Sequence, residues 1–500
     1  MRVALVNCRM SWSSVVPSGL LSIATLLKTQ GHDVLVFDAY FTDDELLRRL
    51  IAFNPELVGA SFMTTEYPRA KVIVHRCRES LPSSLVCAGG FHVSALPERT
   101  LRDLPLDFVV LREGEATMVE ICQHDAAALR LPRTLEGIRG IAFLAEGGSF
   151  VATPPRPFVE NLDELPIIDR ELLSGGLDWY LTLPGNIRGH LVERCATVLT
   201  SRGCPGNCLF CSSRAMWTSR VRQRSVGNVL QEIELLRDKY GVQGLFFLDD
   251  TFTVNRKWIL DFCAEWKRRG IRMTWGCSAR VNTVTEDILK AMKEIGCVQL
   301  DFGVESGNDE VLRRLHKGQN RQTIVRAFEL VHRFGLSSLA CFIIGNPGET
   351  EKEMFETLDV ARQIRPDFAI FSILTPLPGS PLYEMAIENG WINGGEEFDM
   401  HWSIRHSDMP VMGIEVSPVR LLEVRKNMED RFFFTNYWGY LRPVFRHPGF
   451  ILSLVYQVVR KPGKYLGILR GKGTRRFSGF VESMYYDYKE FMARTLACAK

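Results

Sequence analysis

The chain has 500 residues, 46 % of them hydrophobic, and sets 61 lysines and arginines against 58 aspartates and glutamates for a net charge of +3. That length allows more than one core, roughly two to four domains at ordinary domain sizes, and the charge balance excludes a global electrostatic case for nucleic acid. No uncharged apolar run approaches the ~18 residues that a bilayer span needs, and the opening "MRVALVNCRMSW" enters an apolar strand without the features of a secretory signal. A cytoplasmic protein is expected, and thirteen cysteines without framework spacing fit a reducing compartment. Cys8, Cys77, Cys87, Cys122, Cys195, Cys263, Cys277, Cys297, Cys341 and Cys498 read as small buried hydrophobes. The remaining three are clustered.

In the first third, β-rich runs alternate with amphipathic stretches. Strands are predicted over 2–8, 32–40, 55–63, 84–92 and 106–115, and helices over 19–31, 42–54, 68–82 and 96–104. This alternation predicts a doubly wound parallel sheet, in which ligands bind at the carboxyl ends of the strands. Those ends are polar or Gly-rich here: "NCRMSWSSVVPSG", "SFMTTE", "AGGFH" and "REGE". Glycines at a strand end let the backbone approach a large flat or phosphorylated ligand.

Between 131 and 194 the periodicity loosens. "EGGSFVATPPRPFVENLDELPIID" holds a Gly pair and four prolines, and it reads as a connector with one β-hairpin. A second alternation follows from "ATVLTS" to "DFAIFSILTPLPGS", with six strands and five intervening helices of the lengths that βαβ units require. It predicts most of a parallel barrel, with the chemistry again at the strand ends.

The clustered cysteines stand in "LTSRGCPGNCLFCSSR", as Cys204-x-x-x-Cys208-x-x-Cys211, after a strand and ahead of an amphipathic helix. A closed zinc site takes four ligands, usually as two Cys pairs, and no second pair is near. A c-type haem would need Cys-x-x-Cys-His. Three thiolates suit a four-iron cubane held at three corners with its fourth iron open; zinc completed by a distant histidine is the alternative. Pro205, Gly206 and Asn207 form a turn-prone spacer.

"TSRGCPGNCLFC" resembles the signature loop of the radical S-adenosylmethionine superfamily. The resemblance implies a [4Fe–4S] cluster on Cys204, Cys208 and Cys211, with S-adenosylmethionine on the open iron and Phe210 beside its adenine. "FFLDDTF" lies where the family's second strand meets the methionyl amino group, with Asp249 and Asp250 in place of the common Gly-Gly-Glu. "GCSAR" (Ser278, Arg280), "GVESG" (Glu305) and "FIIGNPGET" (Ile344) resemble strands that hold the carboxylate, ribose and adenine. A charged side chain at a barrel strand's carboxyl end is costly unless it meets a ligand or a partner.

Together with the first domain, the chain resembles the cobalamin-dependent branch, the class B methyltransferase-like enzymes, over residues 1 to about 385. "PSGLLSIATLLKTQGHDVLVFD", "AGGFHVSALPE", "FVVLREGEAT" and "ENLDELPIIDRELL" carry the likeness. Cobalamin contacts implied are Ser18, Gly19, Ser61, Met63, Thr64, Gly89, Gly90, His92, Glu113, Gly114 and Glu115. "NCRMSWSS" lacks the Asp-x-His-x-x-Gly of corrinoid proteins that ligate cobalt through histidine, so no such ligation is expected. His92 and His32 are substitutes in principle, and each reads first as a surface or turn histidine.

The implied chemistry begins when one electron, from a flavodoxin or ferredoxin type of donor, enters the cluster. S-adenosylmethionine is then cleaved to methionine and a 5′-deoxyadenosyl radical, which takes hydrogen from an unactivated carbon. In methylating members methylcobalamin supplies the methyl group. Methylation is the leading expectation, on a small-molecule or lipid substrate. An oxidative cyclisation like that of magnesium-protoporphyrin monomethyl ester cyclase, or a rearrangement, is second, and a cobalamin or iron–sulfur sensor third.

Residues 431–481 hold ten basic residues and no acid, interleaved with "FFFTNYWGYL" and "GFILSLVYQVV". A helical cap over the barrel mouth is the preferred reading, a membrane-interface segment the second; no nucleic-acid module is recognised. The expected organisation is α/β: a Rossmann-like cobalamin-binding domain over 1–135, a linker over 136–193, a partial (β/α)6 TIM-type barrel over 194–385 and a mainly helical region over 386–500.

Overall fold

A computed structural model describes residues 1–9, 15–38, 42–182, 187, 192–395, 397, 398, 402 and 409–435. The chain forms two compact units. The first takes 1–177, 201–228 and 375–407, and the second takes 178–200, 229–374 and the described residues from 409 onward.

The first unit starts with β1 (Arg2–Asn7), α1 (Ser18–Thr29), β2 (Asp33–Phe37), α2 (Asp43–Phe53), β3 (Leu57–Ser61), α3 (Tyr67–Ser80), β4 (Leu85–Gly89), α4 (Phe91–Ala95), α5 (Pro97–Asp103), β5 (Phe108–Val110) and α6 (Glu115–Cys122). Local chemistry sets the helix starts. Thr42 accepts from the Glu45 amide ahead of an acidic first turn in α2, and Pro68 sits in the first turn of α3, where its missing N–H costs nothing. β1, β3 and β4 are apolar and buried along almost their whole length, as strands covered on both faces must be.

The sheet order is β2-β1-β3-β4-β5, all parallel, with its switch point between β1 and β3. Beyond α7 (Pro132–Gly137), β6 (Ile141–Leu144) and β7 (Phe150–Ala152) extend this sheet antiparallel from β5. The segment expected to link domains thus supplies two strands of the first sheet, because its short apolar runs "IAFL" and "FVA" cover the β5 edge. Farther on, Leu173 forms a parallel bridge with Val36, and the Ser174 amide donates to Val36 O at 2.9 Å, covering the β2 edge.

The second unit opens with α8 (Asp178–Thr182) and β8 (Cys195–Val198). The next segment belongs to the first unit and contains β9 (Ser201–Arg202), α9 (Ser213–Met216) and β10 (Arg222–Gln223). Then follow α10 (Val226–Tyr240), β11 (Gly244–Phe247), α11 (Arg256–Arg268), β12 (Thr274–Ala279), α12 (Glu286–Glu294), β13 (Cys297–Glu305), α13 (Asp309–Arg314), α14 (Arg321–Arg333), β14 (Ser337–Ile344), α15 (Glu351–Ile364) and β15 (Phe368–Ile373). α16 (Pro381–Glu388) returns to the first unit, and α17 (Pro418–Thr435) packs on β15 and α15 in the second.

Six parallel strands lie in sequential order, β8-β11-β12-β13-β14-β15, with helical crossovers. This is the partial barrel expected from the βα repeat. Phe247, Phe252, Phe262, Trp266 and Trp275 pack in edge-to-face and stacked pairs beneath β11 and β12. α13 is an addition to the expected elements: Asn308 accepts from the Glu310 and Val311 amides and starts a short helix inside what reads as a loop. The basic segment 431–481 lies, apart from its first residues in α17, outside the described residues.

Candidate active site

In the first unit a cleft open to solvent lies at the carboxyl ends of β3, β4 and β5. Of the expected cobalamin contacts, Gly19, Ser61, Gly89, Gly90, Glu113, Gly114 and Glu115 line it. The glycines are there for space. Gly90 has φ +101°, and a Cβ on it would stand 2.9 Å from Phe62 O; a Cβ on Gly114 would stand 2.9 Å from Ile23 Cδ1. Bare strand ends around an open cleft suit a broad planar macrocycle brought against backbone.

Four expected contacts stand elsewhere. Ser18 turns back to Val16 O, Met63 is exposed beside Glu66, and Thr64 bonds His92 at 3.1 Å. His92 is 1 % exposed, packed among Phe62, Tyr67 and Phe398, so it is neither a surface nor a turn residue. Burial and the nearby Arg99 charge push its imidazole down to about 3, which keeps it neutral. His32 bonds the N-terminal amine at 3.3 Å, at the far end of β1.

Glu113 and Glu115 face the cleft, and each is committed to an arginine from the cysteine-bearing segment. Arg202 reaches Glu113 Oε1 at 2.9 Å and Glu115 Oε1 at 2.6 Å. Arg222 holds Glu113 through two bonds, Nη1 to Oε2 at 2.9 Å and Nη2 to Oε1 at 2.8 Å. Ser22 Oγ and the Val159 amide complete the two carboxylates. Burial pushes the Glu113 carboxyl up, but Arg222 and Arg202 outweigh it and hold it below the ordinary range. Arg202 is likewise opposed by burial, and Glu115 and Glu113 hold it firmly charged.

β9 and β10 pair antiparallel, Arg222 opposite Arg202 and Gln223 opposite Ser201, and the cysteine loop runs between them. Gly203, at φ +98°, opens the loop where a Cβ would collide with Arg220 O. Cys204 and Cys211 are half-buried and Cys208 is 8 % exposed. The Gly206 amide donates to Cys204 Sγ at 3.4 Å, and the Cys211 amide donates to Cys208 O at 3.2 Å, which makes Cys-x-x-Cys a tight turn. Phe210 travels with this loop in the first unit, half-buried.

A single zinc ion gathers ligands to about 2.3 Å from one centre. Among the described residues no three His, Cys, Asp or Glu side chains converge to hold one ion. The donor set, three thiols and no acid or imidazole among them, is the set that fits a cluster held at three corners.

In the second unit the other expected residues lie at or just after strand ends. Asp249 is 1 % exposed, and its carboxylate accepts from the Thr200 amide at 3.1 and 3.2 Å and from Thr200 Oγ1 at 2.7 Å, tying the end of β8 to that of β11. Asp250 is exposed. Ser278 and Arg280 are half-buried at the end of β12, and Arg280 donates to Lys317 O. Glu305 ends β13 at φ +65° in a 2.7 Å ion pair with Lys317, both side chains 8 % exposed. Gly303 makes room, since a Cβ there would meet both charged groups. Ile344 is buried at the end of β14, just before a turn closed by Glu349.

Arg280 and Glu305 are thus brought together through Lys317, a residue that sequence reasoning passed over. Arg202, Arg222, Met216, Trp217 and Glu349 were also missed. A buried lysine or arginine leaves no periodic signal. Only "TSRGC" at Arg202 offered one, a charge beside the cysteines after an apolar strand.

The Radical SAM superfamily model matches residues 198–361 and the B12 binding domain model matches residues 9–122. A protein of Pyrococcus horikoshii, named an uncharacterized methyltransferase, is 34 % identical over 443 residues, 87 % of this chain and 92 % of its own length. The chain belongs to the cobalamin-binding radical S-adenosylmethionine enzymes. The anaerobic magnesium-protoporphyrin IX monomethyl ester cyclase of Rubrivivax gelatinosus is 29 % identical over 378 residues, 74 % of this chain and 66 % of its own. TsrM, a radical S-adenosylmethionine methyltransferase of Kitasatospora setae solved with cobalamin and a [4Fe–4S] cluster, shares the fold at a TM-score of 0.66, with 22 % identity over 78 % of each chain. In this member of the cobalamin-binding radical S-adenosylmethionine enzymes, most of the cleft lining falls within the B12-binding match, while Arg202, Met216 and Trp217 of its wall, the cysteine loop and the second-unit residues named above fall within the radical match.

Proposed function

We propose that this protein is a cobalamin-dependent radical S-adenosylmethionine methyltransferase that methylates an unactivated carbon of a small-molecule or lipid substrate. The observation that carries the reading is the joining of a glycine-floored cleft and a three-cysteine loop through one buried ion cluster, in a chain whose 34 % relative is named a methyltransferase.

Cys204, Cys208 and Cys211 would hold a [4Fe–4S] cluster. Gly19, Ser61, Gly89, Gly90, Gly114 and the carboxylates beside them would seat cobalamin. In the second unit Asp250, Ser278, Arg280, Glu305 and Ile344 would meet S-adenosylmethionine. When bound, these groups supply the radical and methyl-transfer chemistry. The chain's own residues bind, orient and exclude water. Asp249 fixes Thr200 and hence the entry to the cysteine loop. Lys317 holds Glu305 in place through their 2.7 Å ion pair. A flavodoxin or ferredoxin type of donor in the cytoplasm would supply electrons. Peripheral membrane contact through 431–481 would suit a lipid substrate; among the described residues no helix is long and apolar enough to cross a membrane.

Anaerobic reconstitution with iron, sulfide and cobalamin, followed by addition of S-adenosylmethionine and a one-electron reductant, tests the reading. S-adenosylhomocysteine and 5′-deoxyadenosine should form together with methylated product, and Cys208→Ala should abolish both nucleosides. The similarity to the Rubrivivax gelatinosus cyclase favours a second reading, oxidative cyclisation. That reaction would yield 5′-deoxyadenosine without S-adenosylhomocysteine.

A further inference from the structure

We infer that Glu113 is a positioning residue that couples the cleft to the cysteine loop, with Arg202 and Arg222 as its partners. The inference rests on the proposed cofactors. β9 and β10, which bound the loop, share only two register positions, and such a ladder is marginal alone. Worse, one of those positions sets Arg202 directly opposite Arg222, and like charges across a strand pair repel. Glu113 turns this repulsion into a bridge. It binds both guanidiniums, is itself anchored by the Val159 amide, and is 8 % exposed beside Gly114 in the cleft wall.

The far wall of the same cleft is made by Arg202, Met216 and Trp217, which flank the three cysteines on either side. A ligand in the cleft therefore orders the segment that carries the thiols, and a cluster on the thiols orders that wall. Each event reduces the ordering cost of the other, and the gain must be the same factor in both directions.

The test uses the full chain under anaerobic conditions, stripped of iron or reconstituted with iron and sulfide, and titrates aquacobalamin by absorbance. Wild type should bind aquacobalamin about tenfold more tightly when the cluster is present, and aquacobalamin should slow iron loss to a chelator. In Glu113→Gln the ratio of the aquacobalamin affinities with and without the cluster should fall toward one, whatever change the lost cleft contact makes to either affinity alone. Should Glu113→Gln fail to fold by circular dichroism, Arg202→Gln keeps the Glu113–Arg222 pair and should lower the ratio likewise. A wild-type ratio of one, or a wild-type ratio retained in a folded variant, overturns the positioning role alone. Wild type that takes up neither iron nor aquacobalamin overturns the proposed function as well.

Discussion

Glu113 and Arg222 form a two-bond pair, at 2.9 and 2.8 Å, with side chains 6 % and 2 % exposed. Both charges are out of bulk water, so the pair stabilises mainly by satisfying groups that would otherwise be costly. Arg222→Met leaves Glu113 with Arg202 alone and should lower stability by roughly 3 kcal/mol. Urea unfolding of the apo protein measures this; a loss under about 1 kcal/mol would mean that water reaches the carboxylate.

Gly90 tests the fit of the cleft. Its φ of +101° and a Cβ 2.9 Å from Phe62 O make Gly90→Ala strained in two ways. The variant should lose about 1–3 kcal/mol of stability and bind aquacobalamin at least tenfold more weakly, read by absorbance titration. Unchanged binding would place the corrin away from β4.

Glu349 is fully buried, and burial pushes its carboxyl up to about 7 against hydrogen bonds from Asn346. Glu349 Oε1 and Asn346 Oδ1 have no hydrogen-bond partner among the described residues, and a proton on the carboxyl converts an unmatched acceptor into a donor. Because the folded value exceeds the ordinary 4.5, this contribution is complete below that pH and is lost as pH rises through about 7. Glu349→Gln should therefore remove a decline of roughly 2–4 kcal/mol between acid and neutral pH. Parallel stability-versus-pH curves for variant and wild type would refute the assignment.

Lys317 and Glu305 should behave as a coupled pair. Lys317→Met strands a carboxylate at φ +65° and should cost about 3 kcal/mol. Adding Glu305→Gln should recover more than half of that loss, with S-adenosylmethionine affinity by calorimetry reduced in both variants. Simple additivity in this double-mutant cycle would show that the pair does not interact.

His92 should leave cobalt alone. Its burial among Phe62, Tyr67 and Phe398, away from the cleft lining, predicts that His92→Phe changes aquacobalamin affinity less than about twofold. The electron paramagnetic resonance spectrum of bound cob(II)alamin should be the same in both proteins, since an axial nitrogen from cobalamin's own base would persist in the variant. Loss of an axial nitrogen splitting in the variant alone would restore His92 as a ligand.

The order of strands and helices was legible because apolar periodicity is a local property, as in "RVALVN" for β1 and "DVLVF" for β2. The three cysteines and the glycines of "AGG" and "REGE" were legible for a related reason: spacing and the absence of a side chain are written in the residues themselves. Less could be read from "IAFL" and "FVA", since nothing local says that a short apolar run will cover the edge of a sheet formed earlier in the chain.

What the sequence determined alone was the fold class, the clustering of three cysteines and the absence of the Asp-x-His-x-x-Gly histidine. The tertiary structure decided the use of the charges. Glu113 and Glu115 serve Arg202 and Arg222, Asp249 serves Thr200, and Glu305 serves Lys317. These pairs join residues up to 109 positions apart. A buried charge must find a partner wherever the fold brings one, so its identity is a property of packing and not of neighbouring sequence.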